Sequence, residues 1–214
     1  MLIKKANTVL SRRKYVRGVS LIEVLVSIVI SAIGLLALAG VNAASMRYTK
    51  MSQYRATATQ LANDMGERIR ANKGQAAAAA VVGPPAIPAV LATGFFAGNY
   101  DYSANFVEQA TAATLPIGND LCNTAAIACT PAQIATLDLA QWRISVRNQL
   151  PEGSVFLVRQ ANEVSMDLWV VWRDPAVASA DESPALVAEC PNGLDKGDDS
   201  QPASIRCSYF RINL

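Results

Sequence analysis

The sequence predicts an α+β protein: a long N-terminal helix, then a head built on a small antiparallel β-sheet with a second helix. Three observations predict it. No proline occurs before Pro84, and apolar residues keep helical spacing from Val19 to about residue 73. Thr130-Pro131 and Leu150-Pro151 bracket a second helical stretch. Behind it, residues 154–160 and 163–173 are rich in β-branched and aromatic residues, and the second of them alternates with period two.

The first segment, VSLIEVLVSIVISAIGLLALAGV (19–41), holds a single charge, Glu23, in 23 residues. A helix of about 20 apolar residues crosses a bilayer. Ahead of it lie Lys4, Lys5, Arg12, Arg13, Lys14 and Arg17, with no acid among them. Basic flanks stay in the cytoplasm, so the chain beyond the helix is expected to cross. The charge is therefore segregated. Of 19 basic residues six precede Gly18, leaving 13 against 17 acids, a balance of −4. A nucleic-acid binder would carry its basic residues on the folded part, so no nucleic-acid partner is expected.

Three readings of 19–41 compete. One is a plain signal anchor. Another is a secretory signal peptide with Ala37-Leu38-Ala39 as its cleavage site. The third gives Glu23 a function, because an acid in a membrane helix is costly and needs a partner. Cleavage after Gly18 would create one: the new α-amino group of Val19 lies four residues before Glu23, one helical turn away. A neighbouring copy could supply it as well. A buried pair of this kind argues for register more than for stability.

Basic residues, then Gly18, then Ser20-Leu21-Ile22-Glu23 and an apolar helix resemble the class III signal of type IV pilins and pseudopilins. The resemblance implies cleavage after Gly18 by a prepilin peptidase, N-methylation of Val19, and a role for Glu23 in subunit registration and recruitment. Pilins usually carry Phe where this chain has Val19. The implied divisions are a leader at 1–18, a transmembrane and assembly half-helix at 19–41, an amphipathic half-helix at 42–74, and a periplasmic head at 75–214.

Past Asn42 the chain turns polar but stays periodic. Tyr48, Met51, Tyr54, Ala58, Leu61, Met65 and Ile69 form one stripe, expected to bury against the head. Arg68, Arg70 and Lys73 suit the C-terminal dipole, and Gly74 suits the C′ position. Gly34 and Gly40 weaken the first half of the helix or let another helix come close. Residues 75–120 are Ala-, Gly- and Pro-rich, and Pro84, Pro85 and Pro88 exclude a long helix or a central strand. They read as a surface connection with one short element near 100–107, where Tyr100, Tyr102 and Phe106 are expected to pack on the head or to meet a partner.

The second helix is expected over 131–149, capped by Thr130 with proline at its first position. Ile134, Leu137, Gln141 and Ile144 share a face, with Trp142 nearby. Only Ala161 and Asn162 separate the two strand stretches, which predicts an antiparallel hairpin. A last strand at 205–212 completes the sheet, with a short strand at 186–190. Trp142 and Trp172 are expected in the core. Trp169, on the opposite strand face, is expected against the helix or a partner.

The four cysteines form two local pairs, Cys122 with Cys129 and Cys190 with Cys207, 7 and 17 residues apart. They suit disulfides on the oxidising side of the membrane, although spacing alone leaves the pairing open. Each bridge would stabilise by roughly 2–3 kcal/mol. The intervals do not fit zinc knuckles. Asp195, Asp198 and Asp199 do not follow a calcium-loop spacing. With no histidine and no nucleophile motif, catalysis lacks its parts, so no enzyme, metal or cofactor is expected.

Within the pilins, CTPAQIATLDLAQW (129–142), LPEG (150–153) and the WVVW strand resemble PilV-type minor pilins, the type IV pilus modification proteins. This implies a low-abundance subunit of a priming complex that starts pilus assembly, sits at the tip and displays a tip adhesin. Its partners would be prepilin peptidase, other minor pilins, the major pilin, the inner-membrane assembly platform and membrane lipid. The chain would begin in the inner membrane and end at the pilus tip, serving adhesion and twitching motility. Three rivals are a minor pseudopilin of a type II secretion system, a DNA-uptake pilin, and a periplasmic protein released after Ala39.

Overall fold

The computed structural model describes residues 18–111, 113–122, 128–160, 164–174, 190–191, 194 and 204–214. The basic leader residues, the turn at Ala161 and Asn162, the expected strand at 186–190 apart from Cys190, and Asp195, Asp198 and Asp199 lie outside the described residues. The elements are helices α1 (Leu21–Ala71) and α2 (Pro131–Gln149) and strands β1 (Ser154–Arg159), β2 (Ser165–Arg173) and β3 (Ile205–Asn213). This is an α+β, pilin-like architecture. The chain divides into two compact units between Met46 and Arg47.

In the first unit α1 runs without a break through Gly34 and Gly40. Every residue of it is exposed. Ser27 and Ser31 donate their hydroxyls to the carbonyls of Glu23 and Ser27, at 2.7 and 2.8 Å. That back-bonding satisfies two hydroxyls inside an apolar run.

In the second unit the rest of α1 buries Ala58, Leu61, Ala62, Met65, Gly66 and Ile69, spaced three and four apart. The stripe is therefore shorter than expected: Tyr48 is 75% exposed, and Met51 and Tyr54 are half-buried. Spacing cannot reveal where the covering sheet begins. Gly74 follows the helix with φ +71°, and Gly94 has φ +58°. A Cβ on Gly74 would strike the Thr93 carbonyl, and one on Gly94 the Asn72 carbonyl. Glycine at both positions lets the two segments touch.

β1, β2 and β3 form one antiparallel sheet in that order. Leu157 pairs with Leu168, which pairs with Phe210. One face carries Val155, Leu157, Met166, Leu168, Val170, Trp172 and Ile212 into a core shared with α1 and α2. The other face carries Phe156, Val171, Ile205 and Cys207, covered by Phe106 and Leu194. Both faces are thus buried, which explains why β2 looks apolar on both sides. The hairpin connection is longer than two residues. Its last bond runs from Gln160 N–H to the Ser165 carbonyl, 3.1 Å, and Val164, 44% exposed, precedes β2 with its carbonyl accepting from Leu214 N–H.

α2 is capped as its sequence suggests. Thr130 Oγ1 accepts from Gln133 N–H and the Gln133 side chain accepts from Thr130 N–H, a capping box, with proline at the first position. Its buried face differs from the expected one. Ala135, Ala140, Trp142 and Val146 are buried, Gln141 is exposed, and Ile134, Leu137 and Ile144 are half-buried. Alanines at 135 and 140 let α2 approach closely while adding little hydrophobic signal.

The 75–120 connection holds more structure than expected. Ala78 pairs with Val90 and Val81 with Ile87 as antiparallel bridges, and 3₁₀ turns occupy Gly94–Ala97, Glu108–Ala110 and Gly118–Leu121. Phe95, Tyr100 and Phe106 are buried and Tyr102 packs against the core. Tyr102 also bridges to Leu157 of β1. The Gln109 amide accepts from Val155 N–H (2.9 Å) and donates to the Val155 carbonyl (2.8 Å).

Candidate functional site

Gly18 and Val19 precede α1 and are exposed, Val19 by 69%. The helix starts at Leu21 because Ser20 caps it. Ser20 Oγ accepts from Glu23 N–H at 3.3 Å, and the Ser20 carbonyl accepts from Glu23 and Val24 N–H. Glu23 therefore sits in the first turn, where unpaired backbone N–H groups favour a negative charge. This Ser-x-x-Glu spacing is a capping signal that the sequence reading did not use. It gives Glu23 a local reason to be acidic beside any role in assembly.

Val19, Glu23, Ser27, Ser31 and Leu35 line one shallow groove along this face of α1. The structure thus brings the residue that would become the new terminus and the acid onto one side. It adds Ser27 and Ser31, whose four-residue spacing was visible in the sequence and overlooked. Among the described residues the Glu23 carboxylate meets no cation.

In the second unit, the Sγ atoms of Cys122 and Cys129 are bonded, with Cα atoms 6.0 Å apart, and so are those of Cys190 and Cys207, 5.1 Å apart. The first bridge ties a loop to the residues just before α2. The second ties Cys190 to β3, beside buried Leu194. Among the described residues Trp169 meets no helix. It lies on the sheet face away from both helices, between Phe156 (5.7 Å) and Tyr209 (5.0 Å). Trp142 and Trp172 fill the core.

Two polar networks hold the head together. Tyr100 Oη donates to Asp138 (2.7 Å) and accepts from the Asn72 amide (3.0 Å), while Arg68 donates to Asp138 (3.2 Å) and Gln141 (2.9 Å). Burial, then the Asp138 acceptor, pushes the Tyr100 hydroxyl pKa up, so it stays a donor. The second network centres on Asp167, 7% exposed, which accepts from Arg211 (2.8 Å), Tyr209 (2.7 Å) and Gln160 (2.6 Å). The Arg211 guanidinium, against the effect of burial, holds its carboxyl below the usual range.

A pH dependence follows. A carboxyl depressed in the folded state stabilises fully above its unfolded pKa, about 3.9, and loses that contribution as pH falls through the folded value. Asp167→Asn is expected to lower the unfolding midpoint at neutral pH. The gap to wild type should narrow on acidification through the carboxylate range. A gap constant with pH, measured by chemical unfolding across that range, would show that the charge of Asp167 contributes nothing.

Residues 13–39 match the family described as the prokaryotic N-terminal methylation motif. No curated protein and no solved structure matches the chain. The match covers Gly18, Val19 and Glu23 and ends inside the apolar part of α1, the one described helix long and apolar enough to cross a membrane. Such a motif implies processing by a prepilin peptidase and assembly with other pilins. The chain thus carries the N-terminal methylation signal of type IV pilins and type II secretion pseudopilins, joined to an α+β fold of pilin-like architecture.

Proposed function

We propose that the protein is a minor pilin of a type IV pilus, cleaved after Gly18, N-methylated on Val19 and recruited through Glu23. The methylation motif at 13–39 carries this reading. The capped start of α1 supports it, because Val19 and Glu23 share one face. In this reading residues 19–41 anchor the chain in the inner membrane, 42–74 pack on the head, and 75–214 face the periplasm. The subunit then joins other minor pilins in a priming complex at the tip, beneath an adhesin, and supports twitching motility. The chain acts by assembly and not by catalysis. The disulfides Cys122–Cys129 and Cys190–Cys207 brace the head there.

The PilV-type assignment rests on the 129–153 block and the WVVW strand. That block also favours a pilus over a secretion pseudopilin. Deleting the gene is expected to reduce surface pili and leave secreted enzymes unchanged; the opposite pattern would assign the chain to secretion.

Mass spectrometry of the membrane-extracted protein is expected to find N-methylated Val19 at the mature terminus. A chain starting at Gly40 would overturn the reading. Gly18→Phe is expected to leave all of the protein as precursor, since only a small residue suits the peptidase at that position. Processed product from this variant would contradict the peptidase assignment.

A further inference from the structure

Four arginines of the second unit have a carboxylate beside them. Arg68 pairs with Asp64 and Asp138, Arg70 with Glu67, Arg173 with Glu152 and Arg211 with Asp167. Arg143 and Arg147 differ. They lie one turn apart on α2 and line one cleft together with Gln109, Ser154 and Val155. Neither meets a carboxylate among the described residues.

The Arg143 guanidinium lies over the Tyr102 ring, 4.3 Å from its centroid, and no described hydrogen bond uses its N–H groups. Arg147 donates through one nitrogen to the Ala110 carbonyl at 3.1 Å, while its other terminal nitrogen is buried with no acceptor among the described residues. A buried donor left unmade is costly. Gln109 lines the cleft too, but its amide donates to the Ala104 and Val155 carbonyls and accepts from Val155 N–H, and it forms no bond to Arg147. Glu108 is the nearest acid in sequence on that side. Its backbone N–H donates to the Asn105 side-chain carbonyl at 2.6 Å, and it forms no described ion pair with either arginine.

The size of the cleft limits what it can hold. Its floor has room for about one water-sized group. It cannot enclose a sugar or a nucleotide. It can admit one oxygen of a carboxylate whose other atoms and carrier stay at the mouth. We infer that the Arg143–Arg147 cleft is a socket for a carboxylate borne on a side chain of a neighbouring protein subunit, gripped by both guanidiniums. The choice of a subunit as carrier rests on the assembly role proposed above; the carboxylate chemistry does not.

The test uses the full chain in detergent micelles, with arginine side-chain N–H resonances followed by NMR. The probes are N-acetyl-glutamate N-methylamide, the matching glutamine amide and inorganic phosphate. The glutamate probe is expected to give saturable shifts at Arg143 and Arg147, and the glutamine probe none. Arg143→Gln and Arg147→Gln should each weaken the glutamate probe about tenfold or more. The Arg147→Gln unfolding midpoint should stay close to wild type, because losing the bond to Ala110 is offset by removing an unmatched donor. No saturable shift would mean that the cleft holds only water, and tighter binding of phosphate would mean a free-anion site; either overturns the inference. In cells, Arg143→Glu with Arg147→Glu should reduce recovery in sheared pili while Val19 is still exposed by processing. Normal recovery beside intact binding in micelles would overturn the subunit as carrier. Failure of processing at Gly18 would instead strike the pilin reading and leave the titration valid.

Discussion

Trp142→Ala is expected to destabilise the head by about 3–5 kcal/mol, as large-to-small core changes of aromatic residues do. Trp142 is fully buried on α2, in the cluster that joins both helices to the sheet. Its indole N–H donates to the Leu61 carbonyl of α1 at 2.8 Å, so one side chain supplies both bulk and a polar tie between the helices. Truncation opens a cavity that Ala135, Ala140 and Val146 are too small or too fixed to fill. For a chain of this size the melting temperature should fall by about 6–20 °C. Trp142→Phe keeps most of the ring volume and should cost less than half as much. Tyr48→Ala, at a residue 75% exposed, is the control. A loss for Trp142→Ala no greater than for Tyr48→Ala, read by circular dichroism in detergent, would remove Trp142 from the role assigned to it.

Glu23→Ala should act on assembly and leave folding and cleavage nearly intact. The Ser20 cap survives, because it bonds the backbone N–H of residue 23 and not its carboxylate. Losing the charge at the helix start costs roughly 0.3–1 kcal/mol, too little to unwind a helix that continues to Ala71. Within a bundle of packed helices the loss is larger. Breaking a buried ion pair by removing one partner costs about 3–5 kcal/mol, since the other charge is left uncompensated. There the stranded charge would be the amino group of Val19. Recovery of the variant in sheared pili should therefore drop sharply while its N-terminus is processed normally. Glu23→Gln keeps the shape and should behave like alanine. Wild-type recovery of both variants would leave capping as the whole explanation of Glu23.

The sequence made the helices legible where backbone rules act locally. Thr130-Pro131 and Leu150-Pro151 bounded α2 to the residue, and absence of proline let α1 run on. Strand positions were readable because Met166, Leu168, Val170 and Trp172 alternate. What failed to show was decided at long range. The inward face of α2 is set by Ala135 and Ala140, which have too little side chain to register as apolar. Phe95 and Tyr100 enter the core from a segment that Gly74 and Gly94 let lie against the end of α1. At the candidate site, Gly18, Val19 and Glu23 were conspicuous as a charge-and-glycine pattern. Ser27 and Ser31 were not, since a serine in an apolar run is silent until its hydroxyl is seen bonded to the preceding turn. Arg143 and Arg147 drew no notice, because a pair of arginines on a helix is ordinary until its neighbours prove to be uncharged.

The outer rim of β1 carries a further consequence. Three successive outward N–H groups there are each engaged by a different device: Val155 by the Gln109 side chain, Leu157 by the Tyr102 carbonyl and Arg159 by Asp101. An open strand border invites another chain to add itself, the route to runaway fibrils. Here that border is sealed by side chains and a single bridging residue, so strand addition at β1 is blocked. A subunit crowded among identical or related neighbours can then meet them through helices and charged sockets without its sheet being extended on this side into an unregulated polymer.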